Sequence, residues 1–428
     1  MIKIRRDESQ LHSIARHESK QPRVARLSYE QATIQSNSQG FRLGVAEKLT
    51  LGYIYPHAPV EIIMAHGFVP SLVRARPGVV GAFEASLQTF ACSYTRNLFS
   101  QRANDQLPPL AALLFPGNTC DSLLNVGDIW RVRFPDDTVF RLTYPAANQG
   151  EAGVHFLAEE IRSLSNMLEK AFGLPFSLSE FEEAASLTRQ FRESIQFLYA
   201  SRAILPQVLP YSKLAALIHT FLMSPDQKSV TEVVRAASQA QRSLAKSKSL
   251  EPINRIRQQL LKGHLTRLTF AHDTDSPRIA VAGGMIDPGA LVALLSAAGI
   301  SENALVIDLL TFGFKTAFTR PCDMEGDPFE SVARSILSSP LEPTQEGLEM
   351  RLSFVRDILT NLAIDGLVIC EQSFCDPDEF EAPSLEAAAS KSGVVVLRLP
   401  IDPELSDRER LGVRLQSFLE TIKSRNQR

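Results

Sequence analysis

The strongest constraint on this chain is a repeated alternation of short apolar runs rich in β-branched residues with longer segments of helical period. In the last third, "PRIAVAGGMIDPGALVALLSAAG" reads as a strand, a Gly-rich turn and a helix, and "ALVIDLL", "DGLVICEQSFCDP" and "GVVVLRLPID" supply further strands. Runs without polar alternation suit strands covered on both faces, and strands separated by helices pair in parallel with helices packed on either side. The pattern also occurs earlier. "KLTLGYIYPHAPVEIIMAHGFVP" reads as strand, Pro-rich turn and amphipathic helix, and "PPLAALLFPGNTCDSLLNV" as a strand ending in a Pro-Gly-Asn turn before a helix start. The expected architecture is α/β: two doubly wound parallel-sheet lobes of the Rossmann or flavodoxin-like kind, with a helical segment between them.

A chain of 428 residues, 44% hydrophobic, is too long for one ordinary core, and about 150 residues per domain suggests two or three domains. The expected divisions are a polar, helical N-terminal segment at 1–48, an α/β lobe at 49–150, a helical linker domain at 151–275 and a second α/β lobe at 276–428. In the linker, "VHFLAEEIRSLSNMLEKAFG" and "LSEFEEAASLTRQFRESIQFLYA" carry apolar residues at helical spacing. It also holds Arg235, Arg242, Lys246, Lys248, Arg255, Arg257, Lys262 and Arg267 against the single acid Glu251. That cluster is either a solvated helix face or a dock for an anionic ligand or partner.

The net charge of −3 gives no global basic field, which argues against nucleic acid or an anionic membrane as partner. No apolar run approaches the 18 or more residues of a membrane span, and the charged start "MIKIRRDESQ" leads into no apolar signal core. A soluble, cytoplasmic protein is expected.

Five cysteines, an odd number scattered over a long chain, fit a reducing compartment better than a disulfide framework. Cys120 in "GNTCDS" and Cys375 in "SFCDPDEF" each follow the carboxyl end of an expected strand, with Asp121 or Asp376 next and a helix soon after. Open α/β sheets bind ligands at that edge, and helix amino termini stabilise anionic sulfur. Cys92, in "ACSYTR", is expected within or near a helix "GAFEASLQTFACSYTRNLF" that faces the same crevice. The three stand 28 and 255 residues apart with no C-x-x-C pair, so spacing leaves two readings open. They are unrelated core thiols, or they share one metal centre. The four nearby Cys or His ligands of a structural zinc site are missing. Three thiolates on one [4Fe–4S] cluster would leave one iron without a protein sulfur, open to water, sulfide or a substrate oxygen.

Taken in order, "GYIYPHAPVEIIMAHGFVP", "CSYTR", "PGNTCD", "FCDPDEFEAPSL" and "SFLE" resemble the iron–sulfur subunits of the 2-hydroxyacyl-CoA dehydratase and benzoyl-CoA reductase family. The resemblance covers roughly residues 49–145 and 275–422. It implies a [4Fe–4S] cluster held by Cys92, Cys120 and Cys375, in one subunit of a heterodimer whose homologous partner carries its own cluster. It also implies an acyl-CoA substrate and a separate ATP-hydrolysing iron–sulfur activator as electron donor. This chain has no G-x-x-x-x-G-K-[ST] loop, and "FGFKTAF" at 312–318 lacks the first glycine and the spacing. In the dehydratase branch, one electron added to the thioester gives a ketyl radical that expels the 2-hydroxyl group. Loss of a β-proton and return of the electron then give an enoyl-CoA, a lyase reaction overall. In the reductase branch the electrons stay on an aromatic ring. An electron-relay subunit without a substrate site is a further reading, and a metal-free α/β interaction protein is the most distant one. Near the end, Val413-Arg414 stands where relatives tend to show Thr-Arg.

Other candidates cluster around these motifs. Glu61, at the family's Pro-x-Glu helix start, either lines the substrate side or favours the helix amino terminus, and His57 is a candidate proton-transfer group. Ser93 and Arg96 are placed to hydrogen-bond cluster sulfurs or to pair with Asp121. Cys370 is expected in a strand core or as an alternative ligand, and Cys322 as incidental. Gly283 and Gly284 are expected to make a tight turn near the cluster or substrate, since "AVAGGMIDPG" lacks the full G-x-G-x-x-G fingerprint.

Overall fold

The computed structural model describes residues 48–426 except 80, 148–149, 246–249 and 267–276. The helical segment expected at 1–48 therefore lies outside the described residues up to 47, as do Lys246, Lys248 and Arg267 of the basic cluster.

The first lobe runs β1 (Thr50–Tyr53), α1 (Val60–Ala65), β2 (Val69–Leu72), α2 (Ser93–Ala103), β3 (Ala112–Gly117), α3 (Asp121–Arg133) and β4 (Val139–Thr143). Its four strands pair in parallel in the order β2-β1-β3-β4. Every residue of β3 is buried, which is why that run lacks polar alternation. Edge strand β4 alternates half-buried and buried positions. Two local readings are corrected here. The apolar stretch after Pro59 is not one helix: α1 stops after six residues, Gly67 takes φ +83 as helix-ending glycines do, and the next residues pair as β2. The segment 81–91 is not helical either. The Ala82 N–H donates to Ser100 Oγ at 3.1 Å and Arg96 sits 5.2 Å over the Phe83 ring, so tertiary contacts fold it into turns against α2.

Helices α4 (Glu151–Phe172), α5 (Leu178–Ile204), α6 (Tyr211–Met223), α7 (Gln227–Ala245) and α8 (Glu251–Leu261) follow. The rings of Phe191 on α5 and Phe221 on α6 stack with centroids 3.7 Å apart. Arg235, Arg242, Arg255 and Lys262 are exposed and Arg257 is half-buried, a solvated face on α7 and α8. Arg202, fully buried near the end of α5, donates to Pro206 O at 2.8 Å and Leu305 O at 2.5 Å. Arg278 reaches back to Ala203 O at 2.7 Å. Burial pushes both guanidinium groups down to about 10, and the carbonyls supply the hydrogen bonds that a buried charge requires.

The second lobe comprises β5 (Ile279–Ala282), α9 (Pro288–Ala297), β6 (Leu305–Leu309), α10 (Pro328–Leu337), α11 (Leu348–Asn361), β7 (Gly366–Glu371), α12 (Asp376–Lys391), β8 (Val395–Pro400) and α13 (Arg408–Asn426). Its parallel order is β6-β5-β7-β8. Both lobes thus place their strands in the sequence second, first, third, fourth, a structural repeat that the sequence does not betray. Strand order reverses beside the first and third strands, the switch point where open α/β sheets bind ligands. Among the described residues no helix is long and apolar enough to cross a membrane.

Candidate active site

The two lobes present cysteines at equivalent places. Cys120 follows β3, the third strand of lobe one, and caps α3; Cys375 follows β7, the third strand of lobe two, and caps α12. Each is reached through a residue in the left-handed region, Asn118 at φ +62 and Phe374 at φ +61. The Asn118 side chain fixes its turn by donating to Tyr144 O at 3.0 Å. Cys92 caps α2, so all three cysteines stand at helix amino termini. Free N–H groups and the positive end of the helix dipole favour anionic sulfur at such positions.

All three line one cavity of about 420 Å³. Burial pushes the Cys120 thiol up to about 12, against the backbone N–H groups of Leu123 and Ser122, and Cys92 raises it further. The Cys375 thiol is pushed higher still by burial, then by Asp378 and by the other two cysteines. The donor set is therefore three cysteine sulfurs on one cavity, which a bound cation would hold as thiolates.

Three cysteines on one cavity are the protein ligands that an iron–sulfur cluster would take. Among the described residues no three His, Cys, Asp or Glu side chains converge tightly enough for a single metal, whose thiolate bonds of about 2.3 Å demand close sulfurs. A cluster spreads its thiolates over different irons. Two buried hydroxyls beside the cysteines, Ser93 Oγ and Thr119 Oγ1, have no hydrogen-bond partner. Buried polar atoms are seldom left so, and Thr119, which lines the cavity, could meet a cluster sulfur there.

The loop between α10 and α11 lines the same cavity through Glu342, Thr344 and Gln345. Two buried ion pairs pin it. Lys315 Nζ lies 3.2 Å from Glu342 and donates to Gln345 Oε1 at 2.6 Å, while Arg351 meets Glu381 at 2.5 Å. Glu342 also accepts from Thr311 Oγ1 at 2.5 Å, from Thr344 Oγ1 at 3.1 Å and from the Tyr55 hydroxyl. Burial pulls the Glu342 carboxyl upward, but Lys315 above all, with these donors, holds it at about 2. Lys315 closes a π-helical turn, Thr311–Lys315, a form often found at functional sites. Neither Lys315 nor Glu342 stands out in the sequence: "FGFK" reads only as a failed phosphate loop, and "LEPTQEG" as an ordinary polar loop.

The remaining candidates do not line this cavity. Arg96 stacks 5.6 Å over the Phe374 ring. Among the described residues no ion pair joins Arg96 to Asp121, because the guanidinium is drawn instead between the Phe83 and Phe374 rings. His57 is buried with Nε2 unpartnered; burial, then nearby Lys315, pushes it well below the usual histidine range, so it is neutral at pH 7. Glu61 pairs with Arg192 at 3.2 Å and accepts from Thr188 Oγ1 at 2.8 Å, tying α1 to α5. Neither His57 nor Glu61 is among the residues lining the cysteine cavity; both border a separate one of about 30 Å³. Cys370 is buried inside β7, and Cys322 is also fully buried. A Cβ on Gly283 would stand 2.8 Å from Cys370 O, and one on Gly284 2.7 Å from Asp378 Oδ1, so the glycine pair lets the chain leaving β5 pass close to the end of β7 and the start of α12. Arg414, at the departure near the end, donates to Arg398 O at 2.9 Å and anchors α13 to β8.

The sequence model of one protein family, described as 2-hydroxyglutaryl-CoA dehydratase, D-component, matches residues 56–422. The chain is 23% identical to the lactoyl-CoA dehydratase beta subunit of Anaerotignum propionicum over 88% of its own length and 92% of the relative's. It is 19% identical to the (R)-phenyllactyl-CoA dehydratase beta subunit of Clostridium sporogenes, covering 87% and 91%. It is 20% identical to a subunit of the benzoyl-CoA reductase of Thauera aromatica, covering 87% and 90%.

Proposed function

The chain belongs to the 2-hydroxyglutaryl-CoA dehydratase D-component family, and from that premise we propose that it is the [4Fe–4S] subunit of a cytoplasmic 2-hydroxyacyl-CoA dehydratase, eliminating water from an (R)-2-hydroxyacyl-CoA. The observation that carries this reading is the meeting of Cys92, Cys120 and Cys375, each at a helix amino terminus, on one cavity. When bound, the cluster supplies a low-potential electron and an iron position that no protein sulfur occupies.

The chain's own residues do the rest. The three cysteines hold the group, with helix N–H groups offsetting its negative charge. Ser93 and Thr119 offer hydroxyls to its sulfurs. Glu342, Thr344 and Gln345 present polar atoms across a cavity that a small acyl portion fits, which supports catalysis over pure electron relay. Arg96 holds the Phe374 ring and so the approach to Cys375. Glu61 and His57 lie one layer back, where Glu61 anchors α1 and neutral His57 borders the Lys315–Glu342 pair. By the family relation, the chain forms a heterodimer with a homologous second protein, and a separate ATP-hydrolysing iron–sulfur activator delivers the electron. The likeness to the benzoyl-CoA reductase of Thauera aromatica favours reduction of an aromatic acyl-CoA as the second reading.

Anaerobic purification with iron and sulfide analysis, repeated on Cys120→Ala, tests the assignment. Iron and sulfide near four each per chain are expected for the parent under a [4Fe–4S] assignment, roughly, with loss in the variant. Unchanged iron content in Cys120→Ala would overturn it.

A further inference from the structure

The turn that delivers Cys375 is conformationally costly and unusually well tied. It closes with the Cys375 N–H donating to Gln372 O at 3.0 Å, and its third residue, Phe374, sits at φ +61. A bulky L residue is held in the left-handed region only where its surroundings over-determine it. Here they do. The Phe374 N–H donates to Glu379 Oε1 at 3.1 Å. Ser373 gives both of its donors to one carboxylate: its N–H reaches Asp402 Oδ1 at 3.0 Å and its hydroxyl reaches Oδ2 at 2.9 Å. The Ser373 carbonyl then accepts from the Ser93 N–H of the other lobe at 3.0 Å. Ser93 is the residue after Cys92, so an unbroken chain of hydrogen bonds runs from Asp402 through Ser373 to the helix that Cys92 caps.

Resting on the reading above, we propose that Asp402 is a positioning residue that, through Ser373, fixes Cys375 against Cys92 across the lobe boundary and so sets how tightly the three cysteines grip their group. Asp402 lies just beyond β8, 27 positions after Cys375 in the chain. It does not line the cavity, and it acts only through the peptide it holds. Groups that orient ligands from the next layer govern metal retention nearly as strongly as the ligands.

The test uses the full chain, reconstituted anaerobically with iron and sulfide, as parent, Asp402→Ala and Asp402→Asn. Asp402→Ala is expected to lose iron to a chelator about 10-fold faster and to show a shifted midpoint potential. Asp402→Asn keeps one acceptor oxygen and should fall between. In the iron-free chains, a short bis-thiol reagent should bridge Cys92 and Cys375 more slowly in Asp402→Ala, while the urea midpoint of unfolding stays near the parent's. Equal iron loss with an equal potential would overturn the proposal, as would equal bridging rates. A parent that binds no iron would sink the cluster assignment instead, and the bridging rates would still decide the clasp. If Asp402→Ala does not fold, Ser373→Ala, which removes the hydroxyl alone, is expected to give the same direction at smaller size, and no change there would refute the role.

Discussion

Replacing Lys315 by Met leaves the Glu342 carboxylate buried without its cation, since the two side chains expose only 3% and 2%. The Glu342 carboxyl falls from 4.5 to about 2, worth about 3 kcal/mol in favour of the folded state at neutral pH. Burial, offset only in part by Glu342, pushes Lys315 from 10.5 down to about 8, which costs about the same amount. In a buried ion pair desolvation offsets much of the attraction, whereas removing one member costs about 3–5 kcal/mol. Lys315→Met should therefore destabilise by that amount. Glu342→Gln should lose less, because Tyr55, Thr311 and Thr344 keep an oxygen to bond. The double variant Lys315→Met/Glu342→Gln should recover most of the loss, giving a coupling within the range of about 0.5–3 kcal/mol seen for touching residues. Urea unfolding of the iron-free chain, followed by fluorescence of the single tryptophan, the fully buried Trp130, measures all four species. Losses that simply add in the double variant, or a Lys315→Met loss below about 1 kcal/mol, would refute the argument.

Acid should expose the same pair from the other side. Because the Glu342 carboxyl is depressed in the folded state, its contribution is full above about pH 4.5 and disappears as pH falls toward 2, so Glu342→Gln should show a shallower acid loss of stability than the parent. Thr119→Val removes a buried hydroxyl that has no partner in the protein, so the iron-free chain should be no less stable, while the loaded chain should take up an electron at a lower potential because a donor to sulfur is gone. A fall in iron-free stability would show that the hydroxyl bonds to protein instead. Gly283→Ala drives a methyl group to 2.8 Å from Cys370 O, a backbone atom that cannot yield cheaply, and should cost about 1–3 kcal/mol; a neutral effect on the urea midpoint would contradict this close approach to the end of β7.

Much of the scaffold is legible in the sequence because its rules are local. A run such as "GLVICE" buries every residue as β7, and "CDPDEF" starts a helix through its acids and its Pro in the first turn. That much places Cys120 and Cys375 at strand ends ahead of helices. Sequence period places Cys92 in or near a helix, as found, but runs that helix back over "GAFEASLQTFA", where tertiary ties bend 81–91 into turns. The cavity wall is not legible at all, since nothing about Lys315 or Glu342 in the chain reports that they will be buried together. What the amino-acid order determined alone was the set of elements and the caps, through propensities and side chains acting within a few residues. The closing of residues 28 and 255 positions apart onto one cavity, the shared strand order of the two lobes and the clasp through Ser373 and Asp402 were decided only by packing, because contacts across sheets and lobes depend on where whole elements come to rest.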